Sequence, residues 1–324
     1  MNKVDEEEVR LGIYLKRNNF KMVEIEKSSS GQFRINSLIQ VNLDTSLDLN
    51  SIQNDSQVTE IGDQISEIFN VFKAEPKQAI FTLENPFALV KIIPVDSNLS
   101  KDELIDQVNW EVKQFSYSPD DEYIVDFQQL DSSNGKTTEE IIIVSVRQKI
   151  IQQLKKLFSA AKISVRVIEL ELFAAIRAVE NNYDLKAGEL VCLIEIDFQG
   201  IQFTILKDKK FYFSQDIPLS KLGIEGDSFK SIDDNEMAKI IYRELKRIIQ
   251  DHQLGDSVEG FSRIFLYGDN VRDGALEKFQ NSFNVRIDKT NPFRNVFIGP
   301  NVNVDEKISS HPETFTVCVG SALR

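Results

Sequence analysis

Two stretches of this chain are built alike, and that duplication limits its fold more than any other feature. Residues 10 to 41 read as three short strands, RLGIYL, FKMVEIE and QFRINSLIQV, and residues 190 to 217 repeat the pattern as LVCLIEI, IQFTIL and KKFYFSQDI. Short apolar and alternating runs bounded by turn residues mark strands, so the chain carries a β-meander twice, each feeding a helix later in its half. Two such cores predict two lobes, and 324 residues exceed the length at which one hydrophobic core normally suffices.

The turns of these meanders decide what chemistry the fold can support. A turn that grips phosphate needs glycine, so that backbone N–H groups approach the oxygens, and an aspartate at the strand end to hold a metal's water shell. The first turn, Tyr14, Leu15, Lys16, Arg17, Asn18, Asn19, has neither. The second, Glu195, Ile196, Asp197, Phe198, Gln199, Gly200, puts a carboxylate and a phenyl ring where phosphate would lie. Lys16 and Arg17 are cations of the right sign to meet phosphate, while Asp197 repels it. The expectation is a nucleotide-type fold without hydrolysis.

Other chemistry is sparse. A net charge of −13 and a pI near 4.8 exclude nonspecific nucleic-acid binding, which needs a basic surface. No leading apolar segment reads as a signal peptide, and no apolar run nears the roughly 20 residues a bilayer requires, so the chain is expected to be cytoplasmic and without a membrane span. Cys192 and Cys318 lie in apolar segments without ligand spacing and read as inert core thiols, and His252 and His311 read as solvated. No Walker A loop, GxGxxG, GxSxG or HExxH occurs. The acidic runs at Asp5 to Glu8 and Pro119 to Glu122 read as solvated surface.

Along the chain, Val58, Ile61, Ile65, Ile68, Phe69 and Phe72 recur at helical spacing. Ser100 and Glu103 form a capping box for a helix with the stripe Leu104, Ile105, Val108, Val112 and Phe115, closed by Pro119. The strands YIVDFQQL and EIIIVSV around a turn at Ser132 to Gly135, then a helix with Ile150, Ile151, Leu154, Leu157, Phe158 and Ala161, complete a β-α-β-β-α unit. A later helix carries Met237, Ile240, Ile241, Leu245, Ile248 and Ile249 on one face. The expected organisation is a first lobe over 1–85, an inserted α+β subdomain over 86–162, a return to the first lobe over 163–187, a second lobe over 188–305, and a C-terminal segment, 306–324, returning to the first lobe.

These residues carry a resemblance. LGIYLKRNNFKMVEI, the insert LVKIIPVDSNLSKDELIDQVNWEVKQFSYSPDDEYIVDFQQL with its Trp110–Glu111 pair, LVCLIEIDFQGIQFTILKDKKFYFSQDIPL and TVCVGSALR resemble, in order and spacing over nearly the whole chain, the PilM family of type IV pilus assembly. That family has an actin-like α/β fold related in architecture to the cell-division protein FtsA. The resemblance implies a cytoplasmic scaffold at the inner membrane. It further implies that the chain binds the cytoplasmic N-terminal segment of a bitopic PilN-like protein, in a groove involving the inserted subdomain, and so couples the membrane complex to the motor ATPases. Where the family holds ATP and Mg²⁺, Tyr14 and Lys16 replace Asp and Gly of the first loop, and Glu195 and Asp197 replace those of the second.

Several residues keep two readings. Glu244 and Arg247 match an ExxR-type pair that touches ribose and adenine in such folds, and Gly268 remains in the third nucleotide element, so half an adenosine site is one reading; an intrahelical ion pair and a tight turn are the other. Trp110, the sole tryptophan, and Phe115 are partner-groove candidates or helix packing, with semi-buried packing the default for Trp110. The stretch Arg147, Lys149, Lys155, Lys156, Lys162 and Arg166, acid-free from Ile141 to Ile168, faces an acidic partner or anionic lipid, or is a solvated helix face. Non-enzymatic scaffolding without a cofactor is the reading the turns favour. The alternatives are an ATP-binding actin-like ATPase or polymer, and a type II secretion subunit of the same fold, which would carry a membrane span after its last helix. Self-association stays open.

Overall fold

The computed structural model describes residues 8–72, 78–116, 121–131, 137–224, 229–300, 302 and 304–324. The expected turn at Ser132 to Gly135, the helix stop at Pro119 and most of the acidic run from Asp5 lie outside the described residues. The chain forms two compact units, one comprising Glu8–Glu26 and Ser37–Glu171, the other Lys27–Asn36 and Leu172–Arg324.

The meander opens with β1 (Glu8–Lys27) and β2 (Phe33–Leu47), which lie in the first unit except for Lys27–Asn36, and is followed there by α1 (Asp55–Phe72) and β3 (Ala79–Leu83). β1 covers the first two expected strands, and within it only Arg17, with φ of 54°, takes a left-handed backbone, at the expected turn. Its two arms have different neighbours. Leu11 to Tyr14 run parallel to Ala79 to Thr82 of β3, whereas Asn18 donates from Nδ2 to the Leu43 carbonyl at 3.1 Å and Gln40 donates to Asn19 Oδ1 at 3.1 Å.

β4 (Ala88–Asp96), α2 (Lys101–Phe115), β5 (Tyr123–Asp131) and β6 (Thr138–Arg147) then make a separate three-stranded antiparallel sheet, ordered β4-β6-β5, with α2 laid on one face. Val108 and Val112 of α2 bury against Ile93, Val95, Ile141 and Ile143. Ser100 and Glu103 cap α2 reciprocally, as the sequence predicts. α3 (Gln148–Ala161) packs on α1, where Gly62 permits the approach: a Cβ there would stand 2.5 Å from that of Ala160. β7 (Val165–Leu170) returns parallel to β3 and leads directly into α4 (Glu171–Asn182).

In the second unit β8 (Leu190–Ile196), β9 (Gly200–Lys207) and β10 (Lys210–Pro218) form the repeated antiparallel meander, followed by α5 (Leu219–Leu222), α6 (Asp234–Asp251) and β11 (Arg263–Tyr267). α7 (Asp273–Ser282), β12 (Ile287–Lys289), β13 (Val296–Ile298), α8 (Glu306–Ser310) and α9 (Thr316–Ala322) complete the chain. The sheet order is β10-β9-β8-β11-β12, with β11 parallel to both its neighbours. The predicted apolar face of α6 is buried in this core with Ile194, Phe203 and Ile264. The C-terminal segment, read as an apolar stretch, is helical. α9 packs on α4 so tightly that a Cβ on Gly320 would meet the Ala174 carbonyl at 1.8 Å. Both cysteines are buried thiols, and burial pushes the Cys192 thiol well up.

Candidate functional site

Because the first arm of β1 and β7 both run parallel to β3, the carboxyl ends of these three segments gather at one edge of the sheet, the edge where open α/β sheets bind ligands. Here that edge is polar and buried. Tyr14 and Lys16 project from β1, Glu84 and Asn85 follow β3, and Glu171 follows β7. The Glu171 carboxylate accepts from three donors: the Tyr14 hydroxyl through a short hydrogen bond, Lys16 Nζ at 3.2 Å, and the Asn85 backbone N–H at 3.0 Å. Its side chain is 3% exposed and that of Lys16 10%, so this is a buried, charge-assisted constellation. Arg17 contributes its backbone N–H to Glu84 at 3.2 Å. Lys16, read from the sequence as a phosphate contact, thus meets a carboxylate of its own chain. Sequence reasoning missed Glu171, which stands 157 positions from Tyr14 and has no local signal.

The second turn closes on itself. Asp197 Oδ1 accepts from the backbone N–H groups of Gln199 at 2.6 Å and Gly200 at 3.1 Å, a side-chain-closed turn at the end of β8. Gly268, with φ of 107°, lies against this strand end. A Cβ on it would come within 2.5 Å of the Ile196 carbonyl, so close backbone approach requires the glycine. Glu244 is buried on α6 between Arg243 Nε at 3.0 Å and Arg247 Nη2 at 3.3 Å, and Arg247 also reaches Asp251 at 4.0 Å. Beside Gly268, Glu313 is buried with Lys289 at 3.2 Å and His311 at 3.1 Å, and Lys289 bridges to Asp273 at 2.8 Å. Burial opposes the Lys289 charge, yet Asp273 and Glu313 together hold its pKa above the ordinary lysine value. Both histidines are open to solvent, as expected, and each also has a partner: His252 stacks on Phe213 with ring centroids 3.8 Å apart, and His311 pairs with Glu313.

A third feature lies where the small sheet joins α3. A cavity of about 530 Å³ opens there, with Leu49, Ile52 and Ile150 as apolar wall and Asp121, Arg147 and Lys149 as charged lining. The backbone ties its parts together, Gln148 N–H donating to the Glu122 carbonyl at 2.8 Å. Gln153, also in the lining, is buried; its Nε2 donates to Asp55 at 2.8 Å, while its Oε1 has no partner among the described residues. Hydrogen bonds from Lys156 and Gln153 hold the Asp55 carboxyl below its ordinary range. Trp110 is 58% exposed, which overturns the semi-buried reading, and Ile105, placed on the buried stripe by its spacing, is exposed too. Phe115 is part of the α2 packing, with Lys91 Nζ 4.9 Å from its ring. Neither Trp110 nor Phe115 lines the cavity. Of the basic stretch, Lys149, Lys155, Lys156, Lys162 and Arg166 are exposed, and Lys156 pairs with Asp55 at 2.8 Å.

The sequence matches the family described as type IV pilus assembly protein PilM over residues 12–220. A solved structure described as a PilM–PilN type IV pilus biogenesis complex superposes with a TM-score of 0.80 at 17% identity, covering 97% of this chain and 98% of that one. A protein of unknown function from Bacteroides thetaiotaomicron, described as having an actin-like ATPase fold, superposes with a TM-score of 0.50 at 11% identity, covering 90% of this chain and 94% of that one. At such identities the likeness is one of fold. It is the actin-like α/β fold read from the duplicated meanders.

Proposed function

Since this chain belongs to the PilM family of type IV pilus assembly proteins, we propose that it is a non-catalytic docking scaffold, which holds the cytoplasmic N-terminal segment of a PilN-like membrane protein in the cavity between its small sheet and α3. The observation that carries this reading is the cavity itself, with an apolar wall, charges of both signs and one buried acceptor, Gln153 Oε1, that lacks a donor among the described residues. An extended peptide supplies what such a site needs: apolar side chains as anchors, and backbone N–H groups for an unsatisfied acceptor. No helix among the described residues is long and apolar enough to cross a membrane, so in this reading the partner's span ties the chain to the cytoplasmic face of the inner membrane. Coupling to the motor ATPases then passes through the scaffold. Catalysis is not its task, because the donors at the first turn are engaged by Glu171 and phosphoryl transfer depends on donors positioned for phosphate.

The test is retention of a synthetic N-terminal segment from the neighbouring bitopic protein. Three folded proteins are compared: the intact chain, a variant in which residues 86–162 give way to a short linker, and Arg147→Glu/Lys149→Glu. Binding is expected to be moderate, because a disordered tail loses conformational entropy on docking. The linker variant should lose it and the double variant should weaken it at least tenfold. Equal retention by all three would place the partner elsewhere.

A further inference from the structure

We propose that Tyr14, Lys16 and the Asn85 N–H form an oxyanion-binding site that this chain fills with its own Glu171 carboxylate, and that vacating Glu171 opens the site to a small free oxyanion. This goes beyond the docking reading and does not depend on it. The donors are the kinds that hold oxyanions: an ammonium at 3.2 Å, a phenolic hydroxyl, and a backbone N–H at 3.0 Å. They converge on one carboxylate from two chain segments far from it in sequence, at the strand-end position where such sheets take ligands.

A second observation points the same way. The Thr82 hydroxyl and both polar atoms of the Asn85 carboxamide are buried without partners among the described residues. Thr82 is in register with Tyr14 on one side and Glu169 on the other, and Asn85 adjoins Glu171 through its own N–H. Buried polar groups with spare capacity are rare. Here they belong to the residue in register with Tyr14 and to the residue whose N–H meets the carboxylate, and an anion with more oxygens than a carboxylate would have them as further donors. Glu171 thus acts as a resident ligand, which keeps the site closed to phosphate in the native chain while neutralising Lys16.

A buried ion pair with a purely structural role would show the same contacts, so the test must read the anion. The thermal midpoints of the wild type, Glu171→Ala and Glu171→Gln are compared in potassium chloride, acetate and phosphate at matched ionic strength. The wild type should respond alike to all three salts. The alanine variant should gain on the order of 3 °C in acetate or phosphate at tenfold excess over the dissociation constant, and refolding of a chloride-unfolded alanine variant by either oxyanion counts as the same gain. The glutamine variant keeps the side-chain shape but removes the carboxylate charge beside Lys16, and should gain less than alanine yet more than wild type. Adding Lys16→Met to Glu171→Ala should abolish the gain. A gain in acetate alone identifies a carboxylate-sized site, and one in phosphate as well shows that Thr82 and Asn85 extend it. If neither single variant gains more than wild type, or if the gain survives Lys16→Met, the site does not exist.

Discussion

The two meander turns reach the same chemical end by opposite means. In the first unit the turn's donors are engaged by a carboxylate from 157 positions away, so that Glu171 joins the end of β7 to β1 and to the segment after β3. In the second, Asp197 engages the turn from within, accepting from residues two and three positions ahead. A long-range plug draws on tertiary structure and buries charge; a side-chain-closed turn is made by hydrogen bonds within four consecutive residues. A carboxylate can therefore occupy the meander turns of a duplicated fold by more than one route.

The difference should be measurable. Glu171→Ala is expected to have the largest effect, about 3–5 kcal/mol off the free energy of urea unfolding in chloride, because it removes the buried carboxylate that accepts from Tyr14, Lys16 and Asn85. Adding Lys16→Met should recover part of that loss, since removing both partners of a buried pair costs less than removing one. Gly268→Ala comes next at about 2–3 kcal/mol, because the new Cβ meets the Ile196 carbonyl at 2.5 Å and the residue's φ is 107°. Asp197→Ala should cost only about 1–2 kcal/mol through two local hydrogen bonds, and Asp197→Asn less, because its carboxamide oxygen still accepts. Equal losses for Glu171→Ala and Asp197→Ala would dissolve the contrast between plug and local closure.

The smallest effect is electrostatic. A hydrogen bond from Lys289 holds the Asp273 carboxyl below its ordinary value of 3.8. A carboxyl whose folded pKa is depressed contributes stability above its unfolded pKa and loses it as pH falls through the folded one. The wild-type advantage over Asp273→Asn should therefore be flat above about pH 4 and shrink below it. Asp273 is largely exposed, so screening keeps the advantage under about 0.5 kcal/mol.

What the sequence reveals follows the range of the interactions. The repeated meanders, the Ser100–Glu103 box and the apolar face of α6 all arise from periodicity or spacing within one element, and the structure contains each. The turn at Arg17 is tighter than its composition implies, since a non-glycine residue adopts the left-handed backbone there. Ile105 lies on the apolar stripe of α2 yet is exposed, because the small sheet covers a narrow strip of the helix around Val108 and Val112. Trp110 is open for the same reason. Glu171 was illegible, since its partners are set by the alignment of three parallel strands. Asp197 was read as repelling phosphate, and its role in closing the turn emerges only from the path of the backbone.

The central claim is that both turns are filled by the chain's own carboxylates, leaving a scaffold where the fold would otherwise hold a phosphoryl-transfer site. Phosphate release from Mg²⁺·ATP by the purified wild-type chain tests it most directly. The account predicts release indistinguishable from buffer at every Mg²⁺ concentration. Steady, Mg²⁺-dependent release that disappears in a folded Glu195→Ala variant would contradict it.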